Sequence, residues 1–150
     1  MGVGGVNVFS MRDMEEMFDG LPIDKISTAV IEKINTTCPH TAMYLAMAEN
    51  RGIDLRKVNG TTEGDPTTYG GCIDPDVLPV RQVFRLCGDL VEWCALNAPK
   101  WHPVRFTSYN FREAGVNAYQ KIGGLIASAV AIIDEVLRRD RGLSVDDFVP

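Results

Sequence analysis

Apolar positions along this chain recur with two different periods. Short β-branched runs alternate with longer segments in which apolar residues return at every third or fourth position. The clearest helical stripe is Val80, Val83, Phe84, Cys87, Leu90, Val91 and Cys94, and it predicts a helix from Val80 to about Ala98. A second stripe, Tyr119, Ile122, Ile126, Ala129, Val130, Ile133 and Leu137, marks the expected buried face of a long last helix reaching about Arg139. Arg138, Arg139 and Arg141 suit its carboxyl end, and Gly142 suits its terminator. Two further helices are predicted over Met11–Phe18, capped by Ser10, and over Pro39–Asn50, with Thr37 as cap and Pro39 in the first turn. Strands are predicted over Gly5–Phe9, Lys25–Ile31, Lys57–Thr61 and Val104–Ser108. Lys25–Ile31 lacks a clear apolar–polar alternation, which suits a sheet covered on both faces.

Strand–helix–strand–helix order implies an α/β fold with a parallel sheet and right-handed crossovers. Four such units form either a small complete sheet or about half of an eight-stranded barrel, whose full length is ~250 residues. Periodicity fits both. The chain enters a strand almost at once, and a helix start with capping-box spacing at Ser144–Asp147 is followed within a few residues by Pro150. The expectation is a chain cut at both ends.

Two strand-to-helix junctions carry clustered polar residues: Gly60-Thr61-Thr62-Glu63-Gly64-Asp65 and Tyr109-Asn110-Phe111-Arg112-Glu113-Ala114-Gly115. Such residues sit at the carboxyl ends of parallel strands, where α/β proteins place their chemistry. The Gly/Pro-rich loop from Glu63 to about Pro79 is long for such a connection, and loops of that length tend to be functional or disordered.

The bulk numbers narrow the function classes. A length of 150 residues with 45% hydrophobic content allows one ordinary domain with a real core. A formal charge of −5 with no run of Lys or Arg argues against nucleic acid and against an anionic membrane surface. The most apolar stretch, Ile122 to Val136, is interrupted by Ser128 and Asp134, so no membrane span is expected. The amino terminus has no basic segment leading into an apolar one, so no signal peptide is expected and the setting reads as cytoplasmic. Cys38, Cys72, Cys87 and Cys94 form no CxxC pair and read as buried free thiols. His40 and His102 lack ligand spacing with them, so no metal site is expected, and both read as surface or capping residues. Trp93 and Trp101 read as packing in or beside the helix layer. The glycines at positions 2, 4 and 5 precede a strand and are not a dinucleotide loop, and there is no P-loop or nucleophile elbow.

Several landmarks together carry a family resemblance. Met14-Glu15-Glu16-Met17-Phe18-Asp19-Gly20-Leu21-Pro22 continuing to Ser27, then Ala42-Met43-Tyr44-Leu45-Ala46-Met47-Ala48-Glu49, then Gly60-Thr61 with Asp65, and Arg112-Glu113-Ala114-Gly115 follow one another in order. Gly142 with Asp146, Asp147, Phe148 and Pro150 completes the series. In order and spacing the sequence resembles the large, catalytic subunit of the methylmalonyl-CoA mutase family over nearly its whole length. The resemblance implies the central part of a (β/α)8 TIM barrel, about four parallel strands with their covering helices, that binds an acyl-CoA through its middle. It also implies an adenosylcobalamin-dependent radical rearrangement, with a separate cobalamin-binding domain or subunit absent from this chain, and an oligomer in the complete enzyme.

By the same resemblance Tyr109 falls at the active-site tyrosine and Asn110 at the position of the family's histidine. Glu113 falls at a glutamate near the corrin, Thr61 at a substrate-contacting threonine and Glu63 at the family's glutamine. Two of these depart from the pattern. Asparagine donates a hydrogen bond but is no proton donor near neutral pH. A carboxylate at position 63 repels a carbonyl or carboxylate unless it is protonated or paired. The arginine that clamps the carboxylate in methylmalonyl-specific members has no counterpart: Ile73 stands at its offset, and no arginine lies between Lys57 and Arg81. The resemblance therefore implies a mutase for another acyl group, inactive as this chain alone. The rival expectations are a non-catalytic scaffold or partner subunit derived from the same barrel, and a free-standing four-strand binding domain.

Overall fold

A computed structural model describes residues 4–32, 34–67 and 78–149. The elements in chain order are α1 (Met11–Met17), β1 (Ser27–Val30), α2 (Ile34–Asn50), β2 (Asn59–Thr62), α3 (Val80–Asn97), β3 (Trp101–His102), α4 (Tyr109–Glu113) and α5 (Ala118–Leu137). The strands form one parallel sheet in the order β1-β2-β3. An α/β architecture with parallel strands is thus present, with three strands among the described residues where four were expected.

The two differences in the strands have local causes. At the expected Gly5–Phe9 strand, the backbone N–H groups of Phe9 and Ser10 donate to Asp13 Oδ2, which closes the capping box of α1 instead of joining a ladder. Instead of the expected Val104–Ser108 strand, pairing with β2 occurs three residues earlier, at Trp101–His102. Pro103 follows and has no N–H to give, so the ladder ends there. Side-chain hydroxyls then take over: Thr61 Oγ1 donates to the His102 carbonyl at 2.7 Å and Thr62 Oγ1 to the Pro103 carbonyl at 3.2 Å.

The helices differ from expectation in three ways. α2 begins at Ile34, so Pro39 lies inside it and Thr37 is buried within it rather than capping it. The long last helix is divided into α4 and α5. Gly115 takes a φ of +93°, and Asn117 restarts the helix with its own capping box to Gln120. α5 also turns a different face inward. Ser128, Ile132 and Val136 are buried, whereas Tyr119, Ile122, Ile126, Val130 and Leu137 are exposed. The expected apolar stripe is real but has no covering layer among the described residues. β1 is likewise only half-covered.

α3 follows its expected stripe, burying Val83, Cys87, Val91 and Cys94 and leaving Val80 exposed. It packs on α5 through Val91, Ile132 and Val136. Arg139 bridges the two helices, with Nη1 at 2.6 Å from Asp89 Oδ1 and Nη2 at 3.2 Å from Glu135 Oε1. The guanidinium lies directly over Gly88, where an added Cβ would meet it at 2.6 Å.

The main core lies under the sheet and joins Met14, Phe18, Ile23, Tyr44, Met47, Val58 and Trp101. Tyr44 stands between two rings, edge-on to Phe18 at 4.9 Å between centroids and tilted on Trp101 at 4.7 Å. Trp101 is deeply buried as expected for a packing residue, while Trp93 is exposed. The Trp101 ring lies over Gly60, its register partner, so closely that a Cβ there would stand 2.4 Å from the ring. Gly60→Ala is therefore expected to lower unfolding stability by about 1–3 kcal/mol in urea. Gly4→Ala, which meets open space, should leave it unchanged; equal effects would contradict this packing.

Candidate functional site

The carboxyl ends of β2 and β3 form a dense polar edge. Thr62, Glu63, Asp65 and Thr107 are all buried there. β2 places Thr62 and Glu63, and the segment after β3 brings Thr107 back across them. Thr62 Oγ1 is shared with Thr41 Oγ1 of α2 at 3.1 Å, which ties the strand end to the helix behind it. Thr37 Oγ1 donates to the Glu63 carbonyl at 3.4 Å and Cys87 Sγ to the Gly64 carbonyl at 3.0 Å. Gly64 is needed for this closeness, because a Cβ there would stand 2.5 Å from the Pro103 carbonyl oxygen.

The carboxylates at this edge are held differently. Glu63 Oε1 accepts the Thr107 hydroxyl in a short hydrogen bond. Glu63 Oε2 is buried and has no hydrogen-bond partner among the described residues. Asp65 Oδ1 accepts the Thr67 backbone N–H at 2.8 Å and its hydroxyl at 2.7 Å. Thr67 Oγ1 is also shared with Ser128 of α5 at 2.6 Å, so the edge is anchored to the last helix. Glu32 lies just past the carboxyl end of β1, and His40 Nδ1 meets its Oε2 in a short contact. His40 Nε2 lies 3.0 Å from the Val8 carbonyl. A carbonyl only accepts, so Nε2 carries its proton. Burial pushes the Glu32 carboxyl above its ordinary value, and His40 opposes that shift. His40 is therefore a half-buried partner of Glu32, not the surface or capping residue expected.

The sequence candidates fall into two groups. Thr61 and Glu63 sit together on the polar edge. Tyr109, Asn110 and Glu113 lie on α4, where Tyr109 is 56% exposed and Glu113 is also exposed. The link between the two junctions runs through Thr107 to Glu63, not through Tyr109 or Asn110. Sequence reasoning missed Thr107, Glu32 and His40. Each is separated in the chain from its partner, by 44 residues for Thr107–Glu63 and by 8 for Glu32–His40, and no local period marks them. Ile73, at the offset of the family's arginine, lies outside the described residues. Among the described residues, no group of three or more His, Cys, Asp or Glu side chains could hold a metal ion, and no helix is long and apolar enough to cross a membrane.

The family model described as methylmalonyl-CoA mutase matches residues 1–150. The chain belongs to the methylmalonyl-CoA mutase family. It is 29% identical to the methylmalonyl-CoA mutase of Escherichia coli over 150 residues, all of this chain and 21% of that protein. It is 33% identical to the ethylmalonyl-CoA mutase of Methylorubrum extorquens over 137 residues, 91% of this chain and 20% of that protein. It is 28% identical to the 2-hydroxyisobutanoyl-CoA mutase large subunit of Aquincola tertiaricarbonis over 151 residues, all of this chain and 26% of that protein. The chain thus spans between one-fifth and about a quarter of the length of these relatives. These relatives are mutases, which are isomerases.

Cys38, Cys87 and Cys94 are free thiols, while Cys72 lies outside the described residues. Burial pushes the Cys94 thiol up to about 12 and raises Cys87 further. Almost no thiolate exists at either position near pH 8, and thiolate is the reactive form. In a labelling time course at pH 8, Cys87 and Cys94 are expected to react at least tenfold more slowly in the folded chain than in urea. Equal rates would mean that α3 does not bury them.

Proposed function

We propose that this chain is part of the acyl-CoA-binding (β/α)8 barrel of an adenosylcobalamin-dependent acyl-CoA mutase. The observation that carries this reading is the buried polar edge at the carboxyl ends of adjacent parallel strands, in a chain whose relatives are named as acyl-CoA mutases. Support for the barrel comes from what is left uncovered. β3 has an outer edge with no strand on it among the described residues. An apolar cavity of about 330 Å3 lies beside it, lined by Val91, Trp101, Phe106, Ile132 and Phe148. The exposed stripe of α5 continues from there. A further strand and helix would cover all three.

Within that reading the residues divide the work. Thr61 and Glu63 face the acyl-thioester end of the substrate. The Thr61 proton goes to the His102 carbonyl, so toward a substrate this hydroxyl acts as an acceptor. Asn110 takes the place of a proton donor and orients by hydrogen bonding alone. Tyr109 and Glu113 are four apart on α4 and lie on one face. Both are exposed, and an aromatic face beside a carboxylate suits a large planar cofactor with amide donors on its rim. Adenosylcobalamin, when bound, supplies the radical that begins and ends the rearrangement. This chain's residues position the substrate and keep water away from it. Most cofactor contacts belong to a cobalamin-binding domain or subunit outside these residues, in a cytoplasmic, oligomeric enzyme.

The acyl group differs from methylmalonyl, since no arginine between Lys57 and Arg81 is present to clamp a carboxylate. One difference favours a second reading: Asn110 in place of a proton donor fits a non-catalytic scaffold subunit built from the same barrel. Assays with adenosylcobalamin and a panel of acyl-CoA thioesters separate the possibilities. The 150-residue chain alone is expected to show no turnover, and turnover by it would contradict the partial-barrel reading. The intact polypeptide of its source is expected to turn over at least one thioester, and complete inactivity there would leave the scaffold reading.

A further inference from the structure

Three parts of the fold meet at His40. Its side chain stands on α2 and is 20% exposed, and its partner Glu32, just past the carboxyl end of β1, is 5% exposed. Nδ1 meets Glu32 Oε2 in a short contact, while Nε2 lies 3.0 Å from the carbonyl of Val8, in the segment that leads into α1. The Val8 side chain packs against the main core. No strand includes residues 6–9 among the described residues, so the imidazole ties this segment to the sheet. Counting protons decides what the tie can do. A carbonyl only accepts, so the contact to Val8 needs a proton on Nε2. The contact between Nδ1 and Oε2 needs another, because a bare ring nitrogen and a carboxylate oxygen both only accept. That second proton belongs to the pair: the ring is imidazolium beside a carboxylate, or neutral beside a carboxylic acid. Without it, one proton is left for two contacts. The ring then keeps its charge-assisted bond to the carboxylate through Nδ1, and Nε2 faces the Val8 carbonyl lone pair to lone pair. The count concerns Oε2 alone and is the same whatever Glu32 Oε1 meets.

We infer that Glu32 and His40 form a proton-operated latch, which pins the segment before α1 to the carboxyl end of β1 and releases it as the pH rises. Burial raises the Glu32 carboxyl, with His40 and Thr36 opposing the rise. A group raised by folding adds stability below its unfolded value and loses it as the pH climbs through the folded one, which sets the direction. Few titratable groups face the pair. Cys38, on the same helix, feels the charges of Asp89 from α3 and of Glu32, and burial raises its thiol. Asp13 of α1 is occupied by the Phe9 and Ser10 N–H groups. Lys33 lies outside the described residues. Thr41, next to His40 on α2, holds Thr62 at the polar edge, so the latch acts on the helix that supports the candidate site. The inference holds whichever thioester the chain binds.

The test is methyl NMR of the intact polypeptide of its source, labelled at valine, from about pH 5 to about pH 10, a range that spans buried carboxyl and imidazole groups. The Val8 signals are expected to move from core-packed to unstructured positions, while those of the buried Val58 and Val83 stay fixed. The ratio of released to pinned form is expected to rise about tenfold per pH unit, the slope of a single proton. Glu32→Gln offers an amide donor to Nδ1 at every pH and is expected to keep Val8 pinned throughout. His40→Leu removes both contacts and is expected to leave Val8 released throughout. Circular dichroism shows whether each variant folds; where one does not, the titration of the unaltered protein still decides. Val8 signals that stay fixed across the range, that move on acidification instead, or that move equally in folded Glu32→Gln would overturn the inference.

Discussion

The Trp101 ring lying on Gly60 fixes the register between β2 and β3, and the polar edge follows from that register. The indole is packed between Tyr44 below and a bare glycine beside it, so no side chain larger than hydrogen fits at position 60. With Gly60 opposite Trp101, Thr61 falls opposite His102. The next backbone donor would belong to Pro103, which has none. The ladder stops there, and the Thr61 and Thr62 hydroxyls close the gap. A slip of one residue would turn these hydroxyls to the wrong face.

That substitution of side-chain for main-chain bonding makes the carboxyl edge both rigid and polar. Several of its groups are used twice. Thr62 reaches α2 and β3, Thr107 crosses from the far segment to Glu63, and Thr67 ties Asp65 to α5. Two buried carboxylate oxygens, Glu63 Oε2 and Glu32 Oε1, have no hydrogen-bond partner among the described residues. The outer parts of the chain are the opposite case. The α5 stripe and the outer edge of β3 are built for contact and have none among the described residues, which suits a wall of a larger body.

Much of this was legible in the chain. The period of α3 and the capping residue of α1 are local signals, and each is where the pattern places it; the first polar junction ends β2, whereas the second follows an irregular segment rather than the expected strand. The α/β class followed from the alternation of strand and helix patterns, and the family from the order of landmarks. What was not legible depends on distant partners. Near Val104–Ser108 only Pro103 hints that β3 pairs earlier, at Trp101, and its partner Gly60 lies on the other strand. The stripe on α5 reads as buried because it is apolar, yet a stripe says only that a helix wants a partner, not that this segment supplies one. Thr107 and the Glu32–His40 pair sit at positions with no period, so only the folded arrangement brings them to the site. Asn110 was visible as a departure, while the burial of Glu63, which gives its departure meaning, was not.

The central claim is that the carboxyl edge of β2 and β3 is where an acyl-CoA binds. Amide hydrogen exchange on the intact polypeptide, with and without a saturating acyl-CoA thioester, tests it directly. The account predicts added protection concentrated at residues 59–65 and 101–113, with little change in α1 or along α3. Protection confined to other segments, with the carboxyl edge unchanged by a thioester that demonstrably binds, would contradict it.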